Sequence, residues 1–177
     1  MKVVLIRHTS VDVPQGTCYG QTDVPVKSTF PEEAALVKSN LEASLPFDKV
    51  FCSPLTRAVK LATYCGYPDA ERDDRLLELN MGDWEMQRFE DIHVPYVNEW
   101  YNDYLHLPTP NGESFEMQYH RVCQFLDELR QQPYENVAIF AHGGVLISAQ
   151  VYAGDVSFDN AFSALVPYGG IVQIVLT

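Results

Sequence analysis

The stretch that most constrains this chain is Val3-Val4-Leu5-Ile6-Arg7-His8-Thr9. Four consecutive apolar residues begin almost at the N-terminus, and three of them are β-branched. The run is too short for a convincing helix and reads as a parallel strand buried on both faces. It is apolar to its end and then turns abruptly cationic. In open α/β sheets, ligands collect beyond the carboxyl ends of the strands. Arg7 and His8 therefore stand where a site is expected.

Thr9 to Ser28 holds Pro14, Gly16, Gly20 and Pro25 and keeps no helical period. It reads as a loop, longer than a connector needs, and such loops at strand ends tend to carry function. A helix is expected next. Thr29 and Glu32 have capping-box spacing, Pro31 fits the first turn, and Ala34, Val37, Leu41 and Leu45 share a face that Pro46 ends. Lys49–Cys52 is a second short apolar strand. Ser53-Pro54 then supplies an N-cap and a first-turn proline for a helix with Arg57 in its first turn.

Residues 85–113 are rich in aromatics and prolines and read as short helices and loops covering one edge of the sheet. Phe115, Tyr119, Val122, Leu126 and Leu129 mark an amphipathic helix of about 16–18 residues. Val137–Ala141 is a third buried strand. It ends in His142-Gly143-Gly144 before a helix from Val145 to about Tyr152, repeating the construction of the first strand. Phe162–Val166 and Ile171–Val175, around Pro167-Tyr168-Gly169-Gly170, predict a closing hairpin. Strands alternating with helices predict an α/β fold, a three-layer α/β/α sandwich on a mostly parallel sheet made mixed by that hairpin. One domain over 1–177 suits the length.

The net charge of −12 argues against a nucleic-acid or anionic-membrane partner. Arginines converging in a cleft still attract a small anion. No apolar run approaches the roughly 20 residues of a bilayer span, and the four apolar residues after Lys2 are too few for a signal peptide. A cytoplasmic location is the expectation. Cys18, Cys52, Cys65 and Cys123 form no C-x-x-C pair and read as free thiols. There is no H-E-x-x-H, no G-x-x-x-x-G-K-[ST] and no G-x-G-x-x-G.

Strand ends thus offer Arg7, His8, Arg57 and His142 to one crevice. That set suits a phosphoryl group, whose transfer depends largely on positioning and on stabilising charge over its oxygens. Arginines supply forked, permanently charged donors for it.

The stretches Leu5-Ile6-Arg7-His8-Thr9, Ser53-Pro54-Leu55-Thr56-Arg57-Ala58, Leu77-Glu78, Gly82-Asp83-Trp84-Glu85, Asn111-Gly112-Glu113-Ser114 and Ala141-His142-Gly143-Gly144 together resemble the histidine phosphatase superfamily. That superfamily includes the cofactor-dependent phosphoglycerate mutases. Two departures are Thr9, where most members have Gly, and Met86, where Gly often follows the Trp-Glu pair. Neither removes a catalytic group. The loop from Gly16 to Pro25 is similar to that of the α-ribazole-5′-phosphate phosphatases of cobalamin assembly.

The resemblance implies a phosphoglycerate mutase-like fold and a metal-independent phosphomonoester hydrolase that uses no cofactor and forms a phosphohistidine. It makes His8 the nucleophile, with Arg7, Arg57 and His142 gripping the phosphoryl oxygens. Glu78 becomes the general acid, although composition alone would place a carboxylate between leucines outward. Gly143, Tyr19, Thr22 and Glu113 are expected against the substrate, and 84–115 forms a partial cap over the site. The partner is a small phosphorylated metabolite, with α-ribazole 5′-phosphate the expected substrate. The alternatives are another small phosphate ester, phosphoglycerate mutation, or a non-catalytic phospho-ligand binder. The sequence leaves a homo-oligomer open.

Overall fold

Alternation along the first strand decides the architecture. In the computed structural model, which describes residues 1–177, β1 spans Lys2–Arg7. Successive side chains of a strand point to opposite faces. Val3 and Leu5 join one buried cluster, and Val4 and Ile6 join another. Both faces of the sheet must therefore be covered.

Helices α1 (Phe30–Leu41) and α2 (Thr56–Tyr64) cover the Val4–Ile6 face through Val37, Leu41, Leu61 and Ala62. The Val3–Leu5 face is covered by two later helices. Val122, Phe125 and Leu126 of the first (Phe115–Leu129) and Val145, Leu146 and Ala149 of the second (Gly143–Ala153) pack there. A short helix at Tyr96–Asn102 precedes them, so in chain order these are α3, α4 and α5. The result is the expected three-layer sandwich.

The other strands are β2 (Lys49–Cys52), β3 (Glu71–Arg72), β4 (Asn136–Ala141) and β5 (Ile171–Val175), in the spatial order β3-β2-β4-β1-β5. β1, β4, β2 and β3 run parallel, and β5 pairs antiparallel with β1. The sheet is mixed as expected, but for a different reason. Phe158–Ala164 is a 3-10 segment rather than the first arm of a hairpin. Its Phe162 packs on Tyr104 and Phe115, with ring centroids 5.0 and 5.2 Å apart, so aromatic packing takes that stretch away from the sheet. The two-residue β3 lies in a charged stretch that gives no strand signal.

Two helix starts also differ from expectation. Thr29 precedes α1, but its hydroxyl donates to Glu33 Oε2 at 2.7 Å, not to the backbone, and Glu32 takes no part. α2 begins at Thr56, after Ser53-Pro54. Asp23 of the long loop caps it, accepting from Thr56 N at 2.9 Å and from the Thr56 hydroxyl at 2.6 Å. The loop is thus fastened to the helix that carries Arg57. No helix is long and apolar enough to cross a membrane.

Candidate active site

β1 and β4 are parallel neighbours in register, with Arg7 opposite Ala141, so the residues that follow them emerge side by side. The rings of His8 and His142 lie 5.1 Å apart, edge to face. Arg57, from the first turn of α2, places Nε 3.4 Å from His8 Nε2. The strand ends meet because β2, which feeds α2, is the other neighbour of β4.

His8 is 2 % exposed, and Arg57 and His142 are fully buried. Arg57 is immobilised by the loop: Nη1 donates to the Thr22 carbonyl at 2.9 Å and Nη2 to the Gly20 carbonyl. A Cβ on Gly20 would collide with the Leu79 carbonyl, so only glycine lets the loop approach this closely. Glu85 holds the loop from the other side, accepting from Gly20 N, Gln21 N and the Thr22 hydroxyl at 3.0, 2.8 and 2.8 Å. Arg7 donates from Nη1 to the Val166 carbonyl at 2.6 Å, and its guanidinium carbon lies 4.2 Å from the centre of the Tyr168 ring.

The electrostatics keep both imidazoles neutral. Burial is the largest cause of the fall in the His8 pKa well below the ordinary value. His142, Arg57 and Arg7 lower it further, and the Thr9 carbonyl opposes them. The His142 pKa is lowered likewise by burial, then by Arg57, Arg121 and Arg7. His8 Nδ1 lies 2.8 Å from the Thr9 carbonyl, and His142 Nε2 lies 2.7 Å from Ser53 Oγ. Arg7 Nε and His142 Nδ1 are buried without a protein partner. Buried polar atoms are rarely left so, and phosphoryl oxygens are acceptors of the kind they lack.

Glu78 is half-buried. Its Oε1 accepts from Leu79 N at 2.8 Å and Gln118 Nε2 at 2.9 Å, and its Oε2 from Gly144 N at 3.3 Å. It lines a cavity of about 420 Å³ together with Arg7 and His8. The remaining wall is mostly apolar: Leu79, Met81, Phe89, Trp100, Tyr101, Tyr104 and Phe162, with Thr17 and Tyr19 at the loop side. Met81 and Trp100 of this wall also pack with Cys18, Trp84 and Ile92 in a small buried cluster.

Of the expected substrate contacts, Tyr19 stands in this wall, and Gly143 is at the buried first turn of α5, where a Cβ would come 3.3 Å from Arg7 Nε. Thr22 and Glu113 stand elsewhere. The Thr22 side chain is bound to Glu85 and its carbonyl to Arg57. Glu113 accepts from Asn80 N and from Arg121 Nε and Nη2, all at 2.9 Å. Arg121 also donates to the carbonyls of Arg75, Leu77 and Glu78 at 2.8, 2.7 and 3.0 Å. Glu113 and Arg121 therefore hold the segment that carries Glu78 rather than the substrate. The sequence reading missed Arg121, Gln118, Ser53 and Tyr168. Gln118 alone left a signal, as the one amide on the apolar stripe of α4. No group of three or more His, Cys, Asp or Glu side chains is placed to hold a metal ion.

A model of the family described as the histidine phosphatase superfamily (branch 1) matches residues 3–177. The adenosylcobalamin/alpha-ribazole phosphatase of Escherichia coli (strain K12) is 31% identical over 155 residues, covering 82% of this chain and 75% of that protein. Phosphoserine phosphatase 1 of Hydrogenobacter thermophilus is 25% identical over 150 residues, covering 80% of this chain and 71% of that protein. The crystal structure of the alpha-ribazole phosphatase from Shigella flexneri superposes with a TM-score of 0.89 at 28% identity, covering 100% of this chain and 91% of that one.

Proposed function

Because the chain belongs to the histidine phosphatase superfamily and is a phosphatase, we propose that it hydrolyses a phosphate monoester whose leaving alcohol carries a planar aromatic ring system, α-ribazole 5′-phosphate fitting best. The observation that carries this reading is the cavity of about 420 Å³ beside His8, walled by Phe89, Trp100, Tyr101, Tyr104 and Phe162. A volume of this order holds a small organic group, and aromatic walls stack on flat rings. The relatives named for α-ribazole phosphatase support the same substrate. A phosphoserine leaving group is a weaker fit: an ammonium and a carboxylate would lie against a wall whose only fixed charges are Arg7 and Glu78. In this reading, residues 84–115 form a partial cap that shapes the leaving-group cavity.

The chemistry follows from the geometry. Neutral His8 presents Nε2 to phosphorus, with its Nδ1 proton held by the Thr9 carbonyl. Arg7, Arg57 and His142 take the phosphoryl oxygens, and their positions are set before substrate arrives. Glu78 protonates the leaving oxygen and then takes a proton from the water that hydrolyses phosphohistidine.

Phosphate release from a panel tests the proposal. The panel is α-ribazole 5′-phosphate, phosphoserine, 3-phosphoglycerate and ribose 5-phosphate, with chelator present. The expected result is a kcat/KM for α-ribazole 5′-phosphate at least about tenfold above that for ribose 5-phosphate, the value of a good aromatic contact. Equal values for the two esters would remove the aromatic ring system from the proposal. Exchange of phosphate between glycerate isomers without release would replace hydrolysis by mutation.

A further inference from the structure

We infer that Gln118 is a positioning residue for Glu78, fixing Oε2 as the oxygen that carries the catalytic proton. This rests on reading Glu78 as the acid–base group. Gln118 is 1 % exposed and lies on the buried side of α4 with Phe115 and Val122, a place where a polar side chain is costly unless bonded. Its amide is committed at one end only. Nε2 donates to Glu78 Oε1 at 2.9 Å and lies 3.4 Å from the Leu77 carbonyl, whereas Oε1 is buried without a partner. The amide is anchored by the bonds it does make, and the shorter of the two runs to the Glu78 carboxylate, an acceptor that strengthens it.

The consequence falls on the two oxygens of Glu78. Oε1 takes two N–H donors, Leu79 N at 2.8 Å and Gln118 Nε2 at 2.9 Å. Oε2 has a single long contact, Gly144 N at 3.3 Å. Donors stabilise the oxygen that stays unprotonated, so the proton resides on Oε2. Gly144 permits the arrangement, because a Cβ there would strike both Gln118 Oε1 and Glu78 Oε1.

During the first half-reaction the His8 Nε2–P bond forms and the ester P–O bond breaks. The proton on Glu78 Oε2 goes to the leaving oxygen, which departs as an alcohol. In the second, water oxygen bonds to phosphorus, the N–P bond breaks, and a water proton returns to Oε2 as inorganic phosphate leaves. Gln118 stays in place through both, donating to Oε1.

The test compares kcat/KM for ribose 5-phosphate, whose alkoxide needs a proton, with that for p-nitrophenyl phosphate, whose phenolate does not. This parameter reports the steps up to departure of the leaving group. Gln118→Met removes the donor at similar volume, and Gln118→Asn withdraws it by one methylene; circular dichroism and the urea unfolding midpoint verify that each variant folds. The expected result is about a tenfold loss on the alkyl ester, at least about fivefold larger than the loss on the aryl ester, a fraction of a full general-acid contribution. Glu78→Gln runs beside them. Equal losses on the two esters in the Gln118 variants, with an alkyl-selective loss in Glu78→Gln, would overturn the role of Gln118 and leave that of Glu78. Equal losses in Glu78→Gln would overturn the acid–base reading, and the inference with it.

Discussion

The Nδ1 atom of His8 stands 2.8 Å from the main-chain oxygen of Thr9. A carbonyl only accepts, so in neutral His8 the proton is on Nδ1 and the lone pair is on Nε2. Arg57 Nε approaches that lone pair at 3.4 Å, a long bond that an incoming phosphoryl group can replace. His8→Ala is expected to lower turnover by at least about 10³-fold and to abolish acid-labile labelling by substrate phosphate. An active variant that still takes the label would move the nucleophile elsewhere, and mass spectrometry of the quenched enzyme would locate it.

Arg121 bridges α4 to the segment that carries Glu78, through Glu113 and the carbonyls of Arg75, Leu77 and Glu78. The Arg121 and Glu113 side chains are 17% and 15% exposed, so both charges are largely withdrawn from water. Removing one partner leaves the other charge uncompensated. Arg121→Met should destabilise the fold by about 3 kcal/mol, measured by urea unfolding at neutral pH. A loss below about 1 kcal/mol would class the pair with surface ion pairs.

The parts of the site carried by regular strands were legible in the sequence. Arg7, His8 and His142 follow apolar runs whose parallel pairing brings them together, and Arg57 follows the strand next to them. The closing hairpin was misread because a short apolar run at Phe162–Val166 before a turn-forming Pro167-Tyr168-Gly169-Gly170 does not say whether its partner is a strand or an aromatic cluster. Ser53 looked like a helix cap; its hydroxyl does accept from Leu55 N at 3.3 Å, but it also meets His142, while Asp23, distant in sequence, caps the first residue of α2. Thr22 and Glu113 were expected against the substrate because they lie in loop 14–24 and in the aromatic-rich segment 84–115, the two segments expected to shape the leaving-group pocket. Those stretches also hold the scaffold, and only hydrogen-bond geometry separates the two uses.

Tyr101 lines the cavity yet is 49% exposed, so its ring can be removed with little damage to the small buried cluster. Tyr101→Ala is expected to raise KM for α-ribazole 5′-phosphate, whose leaving alcohol carries an aromatic base, by about 2- to 10-fold, the worth of one aromatic contact. Ribose 5-phosphate should lose much less. Steady-state kinetics on both esters checks this, and an equal rise in the two KM values would detach Tyr101 from leaving-group recognition.

His8 and His142 make folding stability depend on pH in a definite direction. Both pKa values fall well below the ordinary one, chiefly by burial; His142, Arg57 and Arg7 lower His8 further, and Arg57, Arg121 and Arg7 lower His142 further. The unfolded chain takes up protons as pH drops through about 6.5, and the folded chain does so only at lower pH. The unfolded state then binds more protons, so stability is complete above pH 6.5 and is lost as pH falls below it. Each histidine contributes at most about 1.4 kcal/mol per pH unit in that window. Glu33 and Asp73, held below the ordinary carboxylate range by Thr29, Ser10 and Arg75 hydrogen bonds, act in the same sense only below about pH 4.5. His106, raised by Asp103, has the opposite sign but lies exposed and screened. Urea unfolding at about pH 7.5, 6.5 and 5.5 should therefore give a plateau between the first two and a loss of about 1–2 kcal/mol at the third. A flat profile down to pH 5.5 would mean that the two imidazoles accept protons inside the fold, and the neutral nucleophile would lose its electrostatic basis.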